Sequence, residues 1–282
     1  MKRRKIDGEL IIKKTVELVR NCNSDLPQDV IDEISSYVKT SDNEQEQMLL
    51  DVILENAKIA EKKKLPLCQD TGMSIFFVEI GNVDIDGDKN IYELLNESVR
   101  LVYSEKNLRP SMLDDPLDGK NTCDNTPAFI HIEHTNSDNI RISYLAKGGG
   151  SENASATAML NPSDGFNGVK AFVLGLVKEK GPNACPPLII GVGIGGTLDH
   201  AVLSSKKALF RKIGNRNSKK EYASREVELK KELNTLNIGA MGLGGHCTVM
   251  DVFIETSPRH IATLPVAVSI LCHSARRGEI TI

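Results

Sequence analysis

Cys68, Cys185 and Cys272 each stand where an apolar run meets a polar or Pro/Gly-containing turn, and their placement constrains this chain more than any other feature. Cys68 lies in Leu67-Cys68-Gln69-Asp70-Thr71-Gly72, Cys185 in Asn183-Ala184-Cys185-Pro186-Pro187, and Cys272 in Leu271-Cys272-His273-Ser274. At such junctions a side chain can face a cleft. Three thiolates from distant parts of a sequence can hold an iron–sulfur cubane by three of its corners, leaving the fourth iron open to substrate. An isolated cysteine also serves as a small buried hydrophobe, so for each residue taken singly both readings stand.

The chain has 282 residues and 40% hydrophobic content, enough for one large domain or two small ones. A net charge of −3 and 4% aromatic residues exclude a nucleic-acid surface, which needs basic stripes and stacking platforms. Acidic and polar residues follow the basic Lys2-Arg3-Arg4-Lys5, so no signal peptide is expected, and no run reaches the length of a membrane-spanning helix. Six cysteines are too sparse for a disulfide scaffold and fit a reducing cytoplasm.

The first third reads as helix. Ile11, Ile12, Val16 and Val19 recur at helical spacing, and a second helix starts at Ser24-Asp25-Leu26-Pro27 with Val30, Ile31, Ile34 and Val38 on one face. A third, from about residue 44 to 63, lines up Met48, Leu49, Val52, Ile53, Ala57 and Ala60, with Lys62-Lys63-Lys64 as its solvated end. The pattern then alternates: a strand at 75–80, a helix at 91–102, a β-hairpin from 129–132 and 140–144 around Asn136-Ser137-Asp138-Asn139, and a helix at 169–177. A buried strand at 188–190 leads into Gly191-Val192-Gly193-Ile194-Gly195-Gly196, a charged helix spans about 219–236, and 248–254 and 265–271 are β-rich. The expected fold is mixed α/β: a helical N-terminal part over about 8–64, then a mixed sheet flanked by helices over 65–282, in a single domain.

Gly191-x-Gly193-x-x-Gly196 matches the dinucleotide fingerprint in form, but the acidic ribose partner due about twenty residues on falls in the basic stretch Lys206-Lys207 to Arg211-Lys212. These glycines therefore read as room for backbone to approach a cluster or an anion, or as an ordinary turn. Lys147-Gly148-Gly149-Gly150-Ser151 is a second glycine-rich turn whose N–H groups suit a carboxylate. Arg109, Lys147 and Arg276-Arg277 are cations near predicted loops, fitted to a small dianion or to plain solvation. Asp70 suits acid–base work at a metal, or the cap of an Asx turn. His260 suits donation to a carboxylate, or a structural role. His246 and Cys247 resemble a Cys/His metal site in composition only, and the lack of a second close pair argues against zinc.

Taken together, Cys68-Gln69-Asp70-Thr71-Gly72, Lys147-Gly148-Gly149-Gly150-Ser151-Glu152-Asn153, Cys185-Pro186-Pro187 with its glycine run, Gly242-Leu243-Gly244-Gly245, and His260-Ile261-Ala262 through Cys272-His273 resemble the class I, iron–sulfur fumarate hydratases. The closer likeness is to the α subunit of the two-subunit form, in order from about residue 10 to the end. The resemblance implies a 4Fe-4S cluster on Cys68, Cys185 and Cys272, with Asp70 catalytic and Gln69, Arg109, Gly148, Gly149, Gly150 and His260 lining a fumarate/malate site. It also implies a β subunit that carries the proton-abstracting threonine and further cations, in a heterotetramer. L-Tartrate dehydratase α subunit is the alternative; that relative departs from Lys-Gly-Gly-Gly-Ser-Glu-Asn and from the final Cys-His, both kept here. A non-catalytic iron–sulfur or structural subunit is the alternative of another class, although electron carriers cluster four cysteines closely.

Overall fold

In the computed structural model, which describes residues 3–105 and 107–282, the chain opens with a short strand, β1 (Arg4–Asp7), and not directly with a helix. Lys2 of the basic start lies outside the described residues. Asp7 then caps α1 (Gly8–Ser24), its carboxylate accepting the Glu9 N–H at 3.0 Å. The order continues α2 (Gln28–Thr40), α3 (Glu44–Lys63), β2 (Met73–Ile80), β3 (Val83–Asp86), α4 (Ile91–Ser104), β4 (Phe129–His134), β5 (Ile140–Lys147) and α5 (Gly149–Asn153). The remainder is β6 (Ala156–Leu160), α6 (Gly165–Lys180), β7 (Leu188–Ile194), α7 (Leu198–Ala208), α8 (Lys220–Asn234), β8 (Val249–Thr256), β9 (Leu264–Leu271) and β10 (Arg277–Thr281).

These elements fall into two compact units. The first comprises the described residues up to Pro27, Ala57–Gly149 and Arg276–Ile282. Its four-stranded mixed sheet has the order β10-β5-β2-β4, and β1 pairs with β3 alongside. Ile11, Leu18 and Val19 of α1 and Leu94, Leu95 and Val99 of α4 form one core with Phe76, Val78, Ile142 and Tyr144 of the sheet. A capping box fixes the start of α4: Asn90 Oδ1 accepts the Glu93 N–H at 3.1 Å and Glu93 Oε2 accepts the Asn90 N–H at 2.8 Å.

The hairpin expected from 129–132 and 140–144 does not form. β2 lies between these two strands, parallel to β4 and antiparallel to β5. The polar 135–139 connection instead wraps the end of β2: Thr135 N–H donates to Ile80 O at 2.9 Å and Gly81 N–H to Asn139 O at 2.9 Å. β2 is more deeply buried than β4, and its interior place pairs its backbone on both edges.

The second unit comprises Gln28–Asn56 and Gly150–Ala275, around a mixed sheet ordered β6-β9-β7-β8. Val173, Leu176 and Val177 of α6 and Leu229 and Leu233 of α8 pack with Ile190, Val252 and Val268 of the strands. The N-terminal helices thus do not make a body of their own: α1 belongs to the first unit and α2 to the second. The α3 helix is also turned from its expected face. Glu46, Leu50, Ile53, Ala57 and Ala60 are buried, whereas Met48 and Val52 are 61% and 62% exposed. The Glu46 carboxylate accepts from Ser41 Oγ at 2.7 Å and from the Cys247 N–H at 2.7 Å, which holds a charged side chain inward.

Gly191 and Gly193 lie inside β7, not in a turn after it. A Cβ on Gly191 would collide with the Ser205 carbonyl, and one on Gly193 with the Ala201 carbonyl, so both glycines admit the backbone of α7 against the strand. The expectation that they make room for a cluster or an anion is thereby corrected. Gly193→Ala is expected to cost about 3 kcal/mol or more, since neither the strand nor the helix backbone can yield cheaply. An unchanged melting temperature in that variant would contradict the close packing.

Candidate active site

The first unit gathers the Cys68 segment, Arg109 and the start of the glycine turn. Leu67 is buried and its N–H donates to Asn23 O at 2.8 Å, which fixes the segment's entry. Cys68 is then half-buried, Gln69 exposed and Thr71 fully buried. Gly72 has φ +75°, and a Cβ on it would lie 2.6 Å from Lys147 O, so only glycine brings this loop against the end of β5. Asp70 Oδ1 accepts the Gly72 N–H at 3.0 Å, the Asx turn, while Oδ2 accepts the Gly149 N–H at 2.7 Å. The glycine turn therefore presents its first helical N–H to Asp70 of the same unit.

Further bonds hold the loop from outside. Thr71 Oγ1 donates to Arg109 O at 2.5 Å, Tyr103 OH to Thr71 O at 3.4 Å, and Asn125 Nδ2 to Gly72 O at 3.1 Å. The Arg109 side chain stays exposed. Arg276 and Arg277, for which solvation was one reading, are 1% and 7% exposed, and Arg276 Nη1 donates to Asp70 O at 2.6 Å. Their burial was illegible because a charged pair at a strand start ordinarily marks surface.

In the second unit Cys185 and Cys272 stand at one end of the sheet, before β7 and after β9. His273 joins them: its N–H lies 3.3 Å and its Nδ1 2.9 Å from Cys185 O. Cys185 adopts the left-handed conformation, φ 54°, uncommon for a residue with a Cβ. The Met241 N–H donates to Pro186 O at 2.8 Å, so the Gly242-Leu243-Gly244-Gly245 loop is docked beside it.

His260 is elsewhere. It lies beyond the opposite end of β9, lining a cavity of about 780 Å³ with His200, Ser257 and Arg259. Seven residue steps along β9 span roughly 23 Å at about 3.3 Å each. His260 and Cys272 of one chain therefore stand at opposite ends of β9. Its Nδ1 accepts the Ala262 N–H at 3.2 Å, which leaves the proton of the neutral ring on Nε2. His200 Nε2 and Ser257 Oγ, 2.7 Å apart, were not singled out from sequence.

Among the described residues no group of three or more His, Cys, Asp or Glu is gathered closely enough to hold a metal ion. The fit of a cluster rests on donor chemistry. The six cysteines are free thiols; Cys185 is exposed and Cys68 and Cys272 are half-buried, so each can present sulfur. Cys22 and Cys247 are buried, and burial pushes the Cys22 thiol up to about 12 and raises that of Cys247 as well, so both remain protonated packing groups. Cys123 is exposed as well, so accessibility removes Cys22 and Cys247 from the donor set but not Cys123, and thiols of this kind suit cluster iron.

Residues 12–281 match the family model described as Fumarate hydratase (Fumerase). By class the protein is a hydro-lyase. The chain belongs to the fumarate hydratase family. A protein of Methanocaldococcus jannaschii, provisionally named L(+)-tartrate dehydratase subunit alpha, is 45% identical over 269 residues, covering 93% of this chain and 94% of that one. The L(+)-tartrate dehydratase subunit alpha of Escherichia coli K12 is 32% identical over 279 residues, covering 96% and 91%. That of Shigella boydii serotype 4 is similar to the same extent.

Proposed function

We propose that this chain is the α subunit of a two-subunit hydro-lyase that interconverts fumarate and L-malate, with its helical N-terminal part and its core acting as one catalytic subunit in the cytoplasm. Cys68, Cys185 and Cys272 are the residues that would hold a 4Fe-4S cluster. Bound there, the cluster supplies a Lewis acid for the hydroxyl and one carboxylate oxygen of the diacid. The observation that carries the reading is the loop that follows Cys68, in which Thr71 bonds the Arg109 carbonyl and Asp70 accepts the Gly149 N–H.

The chain's own groups divide the remaining work. Arg109 offers an exposed guanidinium to a substrate carboxylate, and Gln69 and the Gly148 to Gly150 turn add donors of their own. Asp70 is oriented by two backbone N–H groups and still has lone pairs free to take a proton, which the resulting carboxyl can return. Loss of hydroxide from malate also needs a base at C3. We assign that base, and further cations for the dianion, to a β subunit in a heterotetramer.

A second reading, dehydration of L-tartrate, is favoured by the names of the relatives at 45% and 32% identity. Both substrates are four-carbon diacids with a hydroxyl beside a carboxylate, so one site chemistry serves either. Anaerobic co-expression with the β subunit, iron and acid-labile sulfide analysis, and assays on fumarate, L-malate and L-tartrate separate them. Activity is expected to decay in air and to return with ferrous iron and thiol under anaerobic conditions. Activity that is stable in air and unaffected by chelators would count against an open iron.

A further inference from the structure

Arg276 heads the largest side chains that the fold encloses completely. Its guanidinium is 1% exposed, and its Nε is buried with no hydrogen-bond partner. Among the described residues it has no ion-pair partner; its hydrogen bond is the 2.6 Å donation from Nη1 to Asp70 O. A buried cation that makes no ion pair is costly. The position relative to Asp70 gives it a use. Gly148 lies between the two groups: a Cβ there would be 3.0 Å from Asp70 Oδ2 and 3.4 Å from Arg276 Nη2.

Asp70 is therefore held at three atoms, its carbonyl by Arg276 and its two carboxylate oxygens by the N–H groups of Gly72 and Gly149. The two amides fix where the carboxylate points only if the Asp70 backbone is itself fixed. We propose that Arg276 is a positioning residue for Asp70, holding the main chain of the Cys68–Gly72 loop so that the carboxylate meets substrate at one angle. The role rests on the reading of Asp70 as the acid–base group. Arg276 is too enclosed to bind substrate itself, and its bond goes to the main chain, so it acts through Asp70.

The test uses Arg276→Met, Arg276→Lys and Arg276→Ala in the cluster-loaded two-subunit enzyme, and hydrogen exchange in this chain. Arg276→Met is expected to lower kcat about 100-fold, the scale of a displacement near 1 Å, with KM within about threefold of wild type. Iron and sulfide contents should not change. Arg276→Lys should recover about tenfold of the loss, since it keeps a donor but not the fork. Added guanidinium should partly rescue Arg276→Ala.

Amide exchange should quicken in peptides covering 68–73 and 147–150, while β7 and β9 stay protected. Thermal stability should hold or rise, because an unpaired buried charge has been removed. Wild-type kcat in Arg276→Met, or unchanged exchange at 68–73, would overturn the proposal. So would a loss of protection spread over the whole chain, in Arg276→Lys as in Arg276→Met. A wild-type enzyme inactive on every diacid would defeat the functional reading, and the exchange measurement would still decide whether Arg276 positions Asp70.

Discussion

Serine in place of Cys68, Cys185 or Cys272 is expected to abolish incorporation of iron and sulfide, and hydratase activity with it. Each substitution removes one of three anchors, and a hydroxyl is a poor ligand where a thiolate is required. The other cysteines provide the control. Cys22 of α1 is buried against β10, where a Cβ on Gly278 would lie 2.6 Å from its sulfur, and Cys247 is buried beside Glu46, which accepts its N–H. Serine at either is expected to cost about 1–3 kcal/mol of stability, through burial of a hydroxyl, with cluster content intact. Cys123 is exposed and its replacement should be near neutral. Iron and sulfide assays on anaerobic preparations read all six. A Cys185→Ser protein with full iron and sulfide would sink the ligand assignment.

That contrast between cysteines shows what could be read from sequence and what could not. The junctions of apolar runs with Pro/Gly turns marked Cys68, Cys185 and Cys272, which are half-buried or exposed, but Cys123 is exposed as well, so exposure alone does not single them out. Periodicity likewise marked α1 and α4, and apolar runs marked β8 and β9, because each buries one apolar face or strand. Pairing was harder. β4 and β5 flank a turn that reads as a hairpin, but hydrophobic pattern identifies strands and not their neighbours, and β2 took the place between them. Charged residues hid the rest. Glu46 and Arg276 are both enclosed, one accepting backbone N–H groups and one donating to a carbonyl. A charged side chain held by main chain from a distant segment leaves no local signal. His260 was placed by likeness to a motif, and the length of β9 sets it apart from Cys272.

Purified alone, this chain is expected to bind a cluster and to show no turnover, and addition of the β subunit should switch on fumarate–malate interconversion. Gln69, Arg109, Gly149 and Gly150 are all exposed, so the proposed substrate groups are open to water. A guanidinium in water holds a carboxylate weakly, because solvent competes for both partners; excluding that solvent strengthens the pair and fixes its geometry. Cys185 is exposed too, and the loop docked beside it carries Met241 at 39% and Leu243 at 58% exposure, apolar side chains suited to being covered. Asp70 can supply one proton-transfer group, but trans loss of a C3 proton and a C2 hydroxyl needs a second on the far face of the diacid. Positioning a bound dianion between two such groups is worth several orders of magnitude in rate, on the order of 10⁵ or more in effective concentration. The measurement is fumarate hydration by the chain with and without its partner, at equal cluster content. Robust hydration by the 282-residue chain alone, with a single band on a gel, would show that the site is complete without a second polypeptide.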